Sequence, residues 1–272
     1  RPGDAQILVM VGSADFDDPA IDGNVNAAIS LRQPGSSIKA VLYAAAFNDN
    51  LISPATVIWD LPVEYQINEL QVYRPANYDE KFHGPVTART ALANSYNIPA
   101  VKVLAALGPD RMADVGRSMG LSTLSDLPGV YGLPLTLGAN EVSLLDLTTA
   151  YHTILNEGAY APTTIVLSAA DARGNRIDLE PRVPARQVIR PEAAYQVTSI
   201  LSDGEARAPM FGINTPLKIS RPAAVKTGTS NSYRDNLTVG FTKYLVAGVW
   251  AGNPRGMPMS GVTGVTGAAP MW

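Results

Sequence analysis

Apolar positions along the chain are grouped into stretches whose lengths and boundaries predict helices. The longest unbroken apolar run covers residues 40–47 and follows the breaker Gln33-Pro34-Gly35 and a pair of serines, a common start of a helix. Four further stretches repeat the helical pattern, each with glycine or proline at or near an end: residues 87–107, 109–119, 143–156 and 191–201. We therefore predict a buried helix over residues 36–47 and four more helices further along the chain.

Strand-like segments lie toward the two ends of the chain. Residues 6–11 are β-branched and apolar and precede Gly12-Ser13, which predicts a strand and a turn. Segments 160–169 and 176–177 flank a turn-forming stretch and predict a hairpin, and three consecutive sheet strands are predicted at residues 223–227, 237–242 and 244–250. This distribution favours an α+β fold, in which the N- and C-terminal parts build an antiparallel sheet beside a helical region.

The composition is that of a water-soluble globular protein, with 46% hydrophobic and 17% charged residues in 272. One large domain of this size has enough core to need no disulfide or metal. A net charge of −3 provides no basic surface and argues against nucleic acid as a partner. Cysteine is absent, and His83 and His152 are too far apart in sequence to predict a zinc site, so we expect no metal or cofactor. No apolar run approaches the roughly 20 residues that span a bilayer.

Both ends of the sequence resemble stretches from the interior of a longer chain. The chain begins at Arg1 without a methionine, enters an apolar run within six residues, and stops at Trp272 with no polar tail. We expect it to be a segment of a longer protein. Any export signal or membrane anchor would then lie outside the segment, so its absence here does not locate the protein.

Ser36 and Lys39 stand three residues apart at the start of the first predicted helix. Residues at this spacing share one helix face, so the two side chains can touch. A lysine takes the proton of a serine hydroxyl only when burial or a nearby cation lowers its pKa, and the apolar residues after Lys39 provide burial. Ser37 is the competing nucleophile, but it stands about 200° from Lys39 around a helix. The pair predicts an activated serine, with backbone N–H groups of the first turn available to a developing negative charge.

Two further short motifs accompany Ser36-x-x-Lys39. Ser95-Tyr96-Asn97 is the only Ser-x-Asn in the sequence, and Lys226-Thr227-Gly228 is the only Lys-Thr-Gly. Taken singly, these residues have ordinary structural interpretations, such as a helix cap, a turn or a solvated strand charge. In this order, however, the three motifs form the set found in penicillin-binding proteins and class A β-lactamases, with Tyr96 where that set has aspartate.

The residues around the motifs extend this similarity to nearly the whole chain. They closely resemble the transpeptidase module of class A penicillin-binding proteins, at residues 12–16, 32–36, 77–79, 84–87, 91–100, 226–231, 234–235, 248–253 and 266–272. One departure is Ala40, where the family often has proline after the lysine. The resemblance implies the family's α+β fold, a five-stranded antiparallel sheet flanked by helices, with a helical subdomain.

The resemblance also carries expectations about domain organisation and location. Residues 1–272 would form one penicillin-binding transpeptidase domain, truncated at both ends so that it begins at the second sheet strand and stops before the final helix. The glycosyltransferase module that usually precedes this domain would lie outside the segment. The family implies a place at the extracytoplasmic face of the bacterial cell membrane, with membrane contact only through parts outside this segment.

By resemblance, the motif residues would cross-link peptidoglycan stem peptides. Ser36 would attack the D-Ala-D-Ala carbonyl after Lys39 takes its proton, and an acceptor amine on a neighbouring strand would then take the acyl group. Ser95 would relay a proton to the leaving amine, and Asn97 would bind the substrate amide. Lys226, Thr227 and Thr229 would bind the terminal carboxylate, and Gly228 would allow the substrate to approach closely. The backbone N–H groups of Ser36 and Thr229 would form the oxyanion hole.

Three alternative functions share these features. A serine β-lactamase needs a base that hydrolyses the acyl-enzyme, and the class A form carries Glu-x-x-Leu-Asn after its second motif, whereas the similar segment 64–68 precedes Ser95. A non-catalytic muropeptide-binding module has no need for the pair Ser36 and Lys39. A D,D-carboxypeptidase differs only in that water takes the acyl group, so it stays open. The expected partners are stem peptides, as donor and as amine acceptor, and β-lactams.

Overall fold

Helices make up most of the protein interior. The computed structural model describes residues 1–179 and 181–272, and its helices are α1 (Lys39–Asn48), α2 (Ala88–Ala93), α3 (Asn97–Leu107), α4 (Pro109–Ser118), α5 (Leu144–Leu155), α6 (Pro191–Leu201) and α7 (Gly204–Phe211). All five predicted helical stretches are confirmed as helical. Residues 87–107 are divided into α2 and α3 because Ser95 adopts a left-handed backbone, with a φ of 63°. Helix α7 is not predicted, because it contains Pro209, a residue that usually ends helices.

Short strands pair in antiparallel sheets of two or three. They are β1 (Leu31–Arg32), β2 (Val57–Asp60), β3 (Tyr65–Asn68), β4 (Gln71–Tyr73), β5 (Gly84–Thr87), β6 (Val142–Ser143), β7 (Ala159–Tyr160), β8 (Ala169–Ala170), β9 (Arg176–Ile177), β10 (Arg186–Gln187), β11 (Ala224–Thr229), β12 (Asp235–Phe241) and β13 (Val246–Gly252). The two-stranded pairs are β1 with β6, β2 with β5, β3 with β4, β7 with β10, and β8 with β9. The predicted hairpin is confirmed only over β8 and β9.

Strands β11, β12 and β13 form the largest sheet of the described residues, and they confirm the three consecutive strands predicted near the C-terminal end. The register places Lys226 opposite Val239 and Leu237 opposite Trp250. Every residue of β12 is buried, as expected for the central strand. Helix α5 packs against β12 and β13, and α6 packs against β11. The fold is therefore α+β, with β11 at one edge of the sheet and β13 at the other.

The five-stranded sheet implied by the family resemblance is not formed among residues 1–179 and 181–272. The predicted strand over residues 6–11 is also wrong, because this segment makes only an isolated parallel bridge between Gln6 and Thr164. Val9 and Val11 are 79% and 71% exposed. An apolar, β-branched segment becomes a strand only where its N–H and C=O groups pair with a sheet edge, and residues 7–11 lie along no such edge here.

Helix α1 is the centre of the hydrophobic core. Every residue from Lys39 to Phe47 is 1% exposed or less. Three consecutive alanines, residues 44–46, present little bulk, and α3, α4 and α6 all pack against this helix. Because α1 is enclosed on all sides, the turn that leads into it is held at a fixed place relative to the sheet and the other helices.

We expect Leu42→Ala to lower the free energy of unfolding by about 2–5 kcal/mol, because Leu42 is fully buried in α1 and its removal leaves a cavity. The matched control is Leu70→Ala, since Leu70 is 97% exposed and should change the value by less than about 0.5 kcal/mol. Urea unfolding of both variants measures the difference. Equal stability of the two variants would contradict the central place of α1 in the core.

Candidate active site

Ser36 lies in a 3₁₀ turn, Gly35–Ile38, directly before α1, and this turn is called the serine turn below. The side chain of Ser36 is half-buried, and its hydroxyl makes no hydrogen bond within the described parts of the chain. Ser37, by contrast, is fully buried, and its Oγ donates to the Pro34 carbonyl at 2.6 Å. Tyr151 Oη donates to the Ser37 carbonyl at 2.7 Å. Ser37 is therefore committed to the structure of the turn, whereas the hydroxyl of Ser36 is available for chemistry.

Lys39 is the first residue of α1 and is fully buried. Its Nζ donates to the Ser95 carbonyl at 2.7 Å, to the Tyr96 carbonyl at 3.3 Å and to Asn97 Oδ1 at 2.6 Å. Burial lowers the pKa of Lys39 well below its usual 10.5, and the positive charge of Lys226 lowers it further. The first and second motifs thus meet at this ammonium group.

Ser95 occupies the break between α2 and α3, and Asn94, Ser95 and Tyr96 are called the motif loop below. Its Oγ accepts a hydrogen bond of 2.7 Å from Lys226 Nζ, which also donates to the Thr227 carbonyl at 3.0 Å. Lys226 is buried in β11, and this burial lowers its pKa to about 7. The second and third motifs therefore meet at Ser95, and the structure brings all three motifs into one site.

The motif loop is held by the unpredicted helix α7. Asn94, at the end of α2, is fully buried; its Nδ2 donates to the Ala206 carbonyl at 2.8 Å, and its Oδ1 accepts from the Met210 N–H at 3.0 Å. These two bonds stabilise the loop where Ser95 departs from helical geometry.

The serine turn and the end of β11 touch through backbone atoms. A Cβ on Gly35 would lie 2.5 Å from the Thr229 carbonyl oxygen and 2.7 Å from the Thr229 nitrogen. A Cβ on Gly228 would lie 2.1 Å from the Pro34 carbonyl oxygen. Only glycine fits at either position, and at Gly228 the near neighbour is the serine turn itself. The contact places the backbone of Thr229 against Gly35, the residue before Ser36.

A polar cleft of about 260 Å³ opens beside this contact. Its lining includes Arg32 and Gln33, which precede the serine turn, and residues that follow β11, namely Asn231, Ser232, Arg234 and Asp235. A larger apolar cleft of about 540 Å³ lies at the other end of β11, around Ala224 and Phe241, and none of the motif residues lines it. No motif residue lines the smaller cleft either, but its lining includes the residues directly before the serine turn and those that follow β11.

Three residues that support the site are missed by motif reasoning. Asn77 Oδ1 accepts from the backbone N–H of Asn97 at 2.8 Å, and Asn77 Nδ2 donates to both carboxylate oxygens of Asp60. The ring of His83 stacks on the ring of Tyr96 with 3.8 Å between centroids. The only sequence signal is the segment 77–79 noted in the family resemblance, because pairings between distant residues leave no local pattern.

The described residues, 1–179 and 181–272, hold no cluster of three or more His, Asp or Glu side chains arranged to bind a metal ion. No helix in the same ranges is long and apolar enough to cross a membrane.

The chain matches known proteins over most of its length. Residues 2–257 match the family described as the penicillin binding protein transpeptidase domain. Penicillin-binding protein 1C of Escherichia coli (strain K12) is 33% identical over 98% of this chain and 32% of its own length. Penicillin-binding protein 1A of Aquifex aeolicus (strain VF5) is 33% identical over 91% of the chain and 32% of its own length. The chain thus spans about a third of these curated relatives.

Solved structures share the fold. Penicillin-binding protein 1A from Haemophilus influenzae has a TM-score of 0.80 and 25% identity, over 92% of this chain and 42% of that one. An imipenem acyl-enzyme of penicillin-binding protein A from M. tuberculosis has a TM-score of 0.76 and 21% identity, over 94% of this chain and 62% of that one, and supports the fold alone. The family match over residues 2–257, together with a site that joins the three motifs, shows that this chain belongs to the penicillin-binding protein transpeptidase domains.

Proposed function

We propose that this chain is a serine-type D,D-transpeptidase that cross-links peptidoglycan stem peptides through an acyl-enzyme on Ser36 and is acylated by β-lactams at the same residue. One observation carries the proposal: the Lys39 amine is fully buried one turn from the free hydroxyl of Ser36, with a second buried lysine, Lys226, in the same site. This arrangement supplies the neutral amine that an activated serine needs.

Lys39 acts as the general base for Ser36. A charged ammonium has three N–H donors, which match the three acceptors around Nζ, whereas the neutral amine has two and a lone pair. Releasing one of the three contacts directs this lone pair to the hydroxyl proton of Ser36. Burial and the charge of Lys226 favour the neutral form, so the step needs no other base.

Acylation breaks the amide bond between the two D-alanines. Ser36 Oγ bonds to the carbonyl carbon, and the carbonyl oxygen becomes an oxyanion that the backbone N–H groups of Ser36 and Thr229 stabilise. The C–N bond then breaks as the C=O bond re-forms, and Ser95 Oγ, held by Lys226, passes a proton to the departing D-alanine nitrogen and is reprotonated with the proton that Lys39 took from Ser36. The amine of the acceptor then attacks the ester, forms the new amide and returns the proton to Ser36.

The other motif residues bind the peptide. Asn97 Oδ1 accepts from Lys39 and one N–H of its Nδ2 donates to the Ala76 carbonyl, which leaves its second N–H for the carbonyl of the substrate amide. Lys226 with the hydroxyls of Thr227 and Thr229 binds the terminal carboxylate. Thr229 Oγ1 accepts from the Gly264 N–H at 3.1 Å, and this bond orients its own O–H outward to the ligand. Gly228 keeps the strand beside the turn free of a side chain.

A long-lived acyl-enzyme separates this function from β-lactamase activity. Glu64, the carboxylate of the β-lactamase-like segment 64–68, is exposed and pairs with Arg74 on the hairpin of β3 and β4. Because the Glu64 carboxylate is paired with Arg74, segment 64–68 does not supply the base that a class A β-lactamase uses to hydrolyse its acyl-enzyme. D,D-carboxypeptidase activity uses the same acyl-enzyme, with water in place of the amine. Membership of the family supports a location at the extracytoplasmic face of the bacterial membrane.

Incubation with a penicillin should add one β-lactam to the chain at Ser36, and the adduct should persist for longer than the measurement. Ser36→Ala should abolish labelling, because no other hydroxyl in the serine turn is free. Ser37→Ala should leave labelling largely intact, since Ser37 Oγ is hydrogen-bonded to the Pro34 carbonyl. Intact-protein mass spectrometry with peptide mapping follows the adduct. Labelling that is lost with Ser37, or rapid turnover of many penicillins per chain, would overturn the proposal.

Lys39→Arg should slow acylation by about a hundredfold or more, because a guanidinium keeps its proton and cannot act as the base. In the native protein, the acylation rate should rise with pH through the pKa of Lys39, since only the neutral amine accepts a proton, and this rise should lie well below pH 10.5. Stopped-flow acylation with a fluorescent penicillin measures both effects. The exposed Lys218→Arg is the matched control, and an active Lys39→Arg variant would exclude Lys39 as the base.

A further inference from the structure

A buried polar network lies behind the motif loop, on the side away from Ser36. Asp60, at the end of β2, is fully buried. Its carboxylate accepts from Asn77 Nδ2 at 3.0 and 2.8 Å and from the His83 backbone N–H at 3.1 Å. His83 Nδ1 lies 2.5 Å from the same carboxylate. A buried carboxylate with this many partners is a fixed point of the structure.

Asn77 connects this carboxylate to the start of α3. It is 4% exposed, and its Oδ1 accepts from the backbone N–H groups of Asn97 at 2.8 Å and Ile98 at 3.2 Å. These are free donors at the first turn of the helix, so Asn77 caps α3 from a distance of twenty residues in sequence. The amide of Asn77 can do this only in one orientation, and Asp60 and the Lys81 carbonyl, at 2.8 Å, set that orientation by accepting from its Nδ2.

His83 supports the motif loop from the same side. Its ring lies 3.8 Å from the Tyr96 ring with 14° between the planes, so the two rings are stacked. One ring nitrogen faces Asp60 and the other lies 3.1 Å from Asp79 Oδ2. The two carboxylates therefore fix the plane of the imidazole, and the imidazole fixes Tyr96.

Both branches end at Lys39. The Asn97 that Asn77 caps presents Oδ1 to Lys39 Nζ at 2.6 Å, and its Nδ2 is tied to the Ala76 carbonyl next to Asn77. The Tyr96 that His83 supports offers its carbonyl to the same Nζ. Displacement of either residue changes the acceptors around the amine that takes the proton of Ser36.

We propose that Asp60 is a positioning residue for acylation, which acts through Asn77 and His83 to hold the motif loop and the start of α3 against Lys39. The proposal rests on the function proposed above for Ser36 and Lys39. Asp60 itself touches neither the serine nor the lysine, and its effect reaches the base only through the backbone and side chains of residues 95–97.

Asp60→Asn tests this with little change of volume. The carboxamide keeps one acceptor for Asn77 but loses the second, so the cap of α3 is held less firmly, by one oxygen of residue 60 and the Lys81 carbonyl. The plane of His83 is then fixed by the Asp79 carboxylate alone. The first-order acylation rate constant for a fluorescent penicillin should fall about tenfold or more, while the dissociation constant of the preceding non-covalent complex changes far less, because positioning acts on the reacting groups. Glu64→Gln is the matched control, an exposed carboxylate-to-amide change on the neighbouring hairpin, and should behave like the native protein.

The time course of labelling gives two quantities. Its first-order rate constant reports how fast folded molecules are acylated, and its end point reports what fraction of the protein can be acylated. A variant that only folds less well would give a lower end point with an unchanged rate constant, and this result would overturn the proposal. If Asp60→Asn does not fold, His83→Phe keeps the stacked ring, loses both carboxylate contacts at a half-buried site, and should also slow acylation. A native rate constant in the folded variant would likewise overturn the proposal.

Hydrogen exchange separates this proposal from the proposed function. In Asp60→Asn, the backbone amides of Asn97 and Ile98 should exchange about tenfold faster or more than in the native protein, because their acceptor is no longer held, whereas amides in α5 should keep their native rates. This readout needs no acylation. If penicillin fails to label native Ser36, the proposed function fails, and faster exchange at residues 97 and 98 still supports the role of Asp60 in holding the loop. Unchanged exchange at these two amides would overturn that role.

Discussion

The burial of one lysine side chain determines how this site is built. Lys39 carries its amine into the protein interior, and a buried ammonium is tolerated only where carbonyl and amide oxygens surround it. Those oxygens come from residues 95–97, which lie on another segment of the chain. The left-handed Ser95, the break between α2 and α3, and the orientation of Asn97 all serve this one contact. The environment of the proposed base therefore depends on the packing of two segments rather than on the tetrapeptide that contains Lys39.

A second constraint is the close approach of the serine turn to β11. Gly35 and Gly228 add no side chains of their own, so the backbone of the turn meets the backbone of the strand. The core behind the turn is filled by α1, and the sheet behind β11 is held by the fully buried β12. Two rigid elements thus face each other across a narrow gap, which backbone atoms and the small Ser37 side chain fill. The amides of this gap are held in place before a substrate arrives, which is what electrostatic stabilisation of an oxyanion requires.

Much of this could be predicted from the sequence, for physical reasons that differ between elements. The apolar run of α1 and the three motif positions are local patterns, so the helix, Ser36 and Lys39 could be recognised without a structure. The pairing of Asp60 with Asn77 and His83 joins residues about twenty positions apart, and such contacts leave no periodic trace. The failed strand over residues 6–11 has the same origin, since strand formation depends on an edge elsewhere in the chain. Helix α7 was missed because its packing against Asn94 outweighs an internal proline.

The two buried lysines link folding to the release of protons. In the unfolded chain both amines are solvated and titrate near the usual 10.5, whereas the folded pKa of Lys226 is about 7 and that of Lys39 is also lowered. Between these values the unfolded chain binds more protons than the folded one, so the free energy of unfolding decreases as the pH falls from about 10 toward 7. Below the folded pKa values both states are protonated and this cost stays constant. The residues that supply the chemistry therefore oppose folding at neutral pH, and the enclosed core around α1 must offset them.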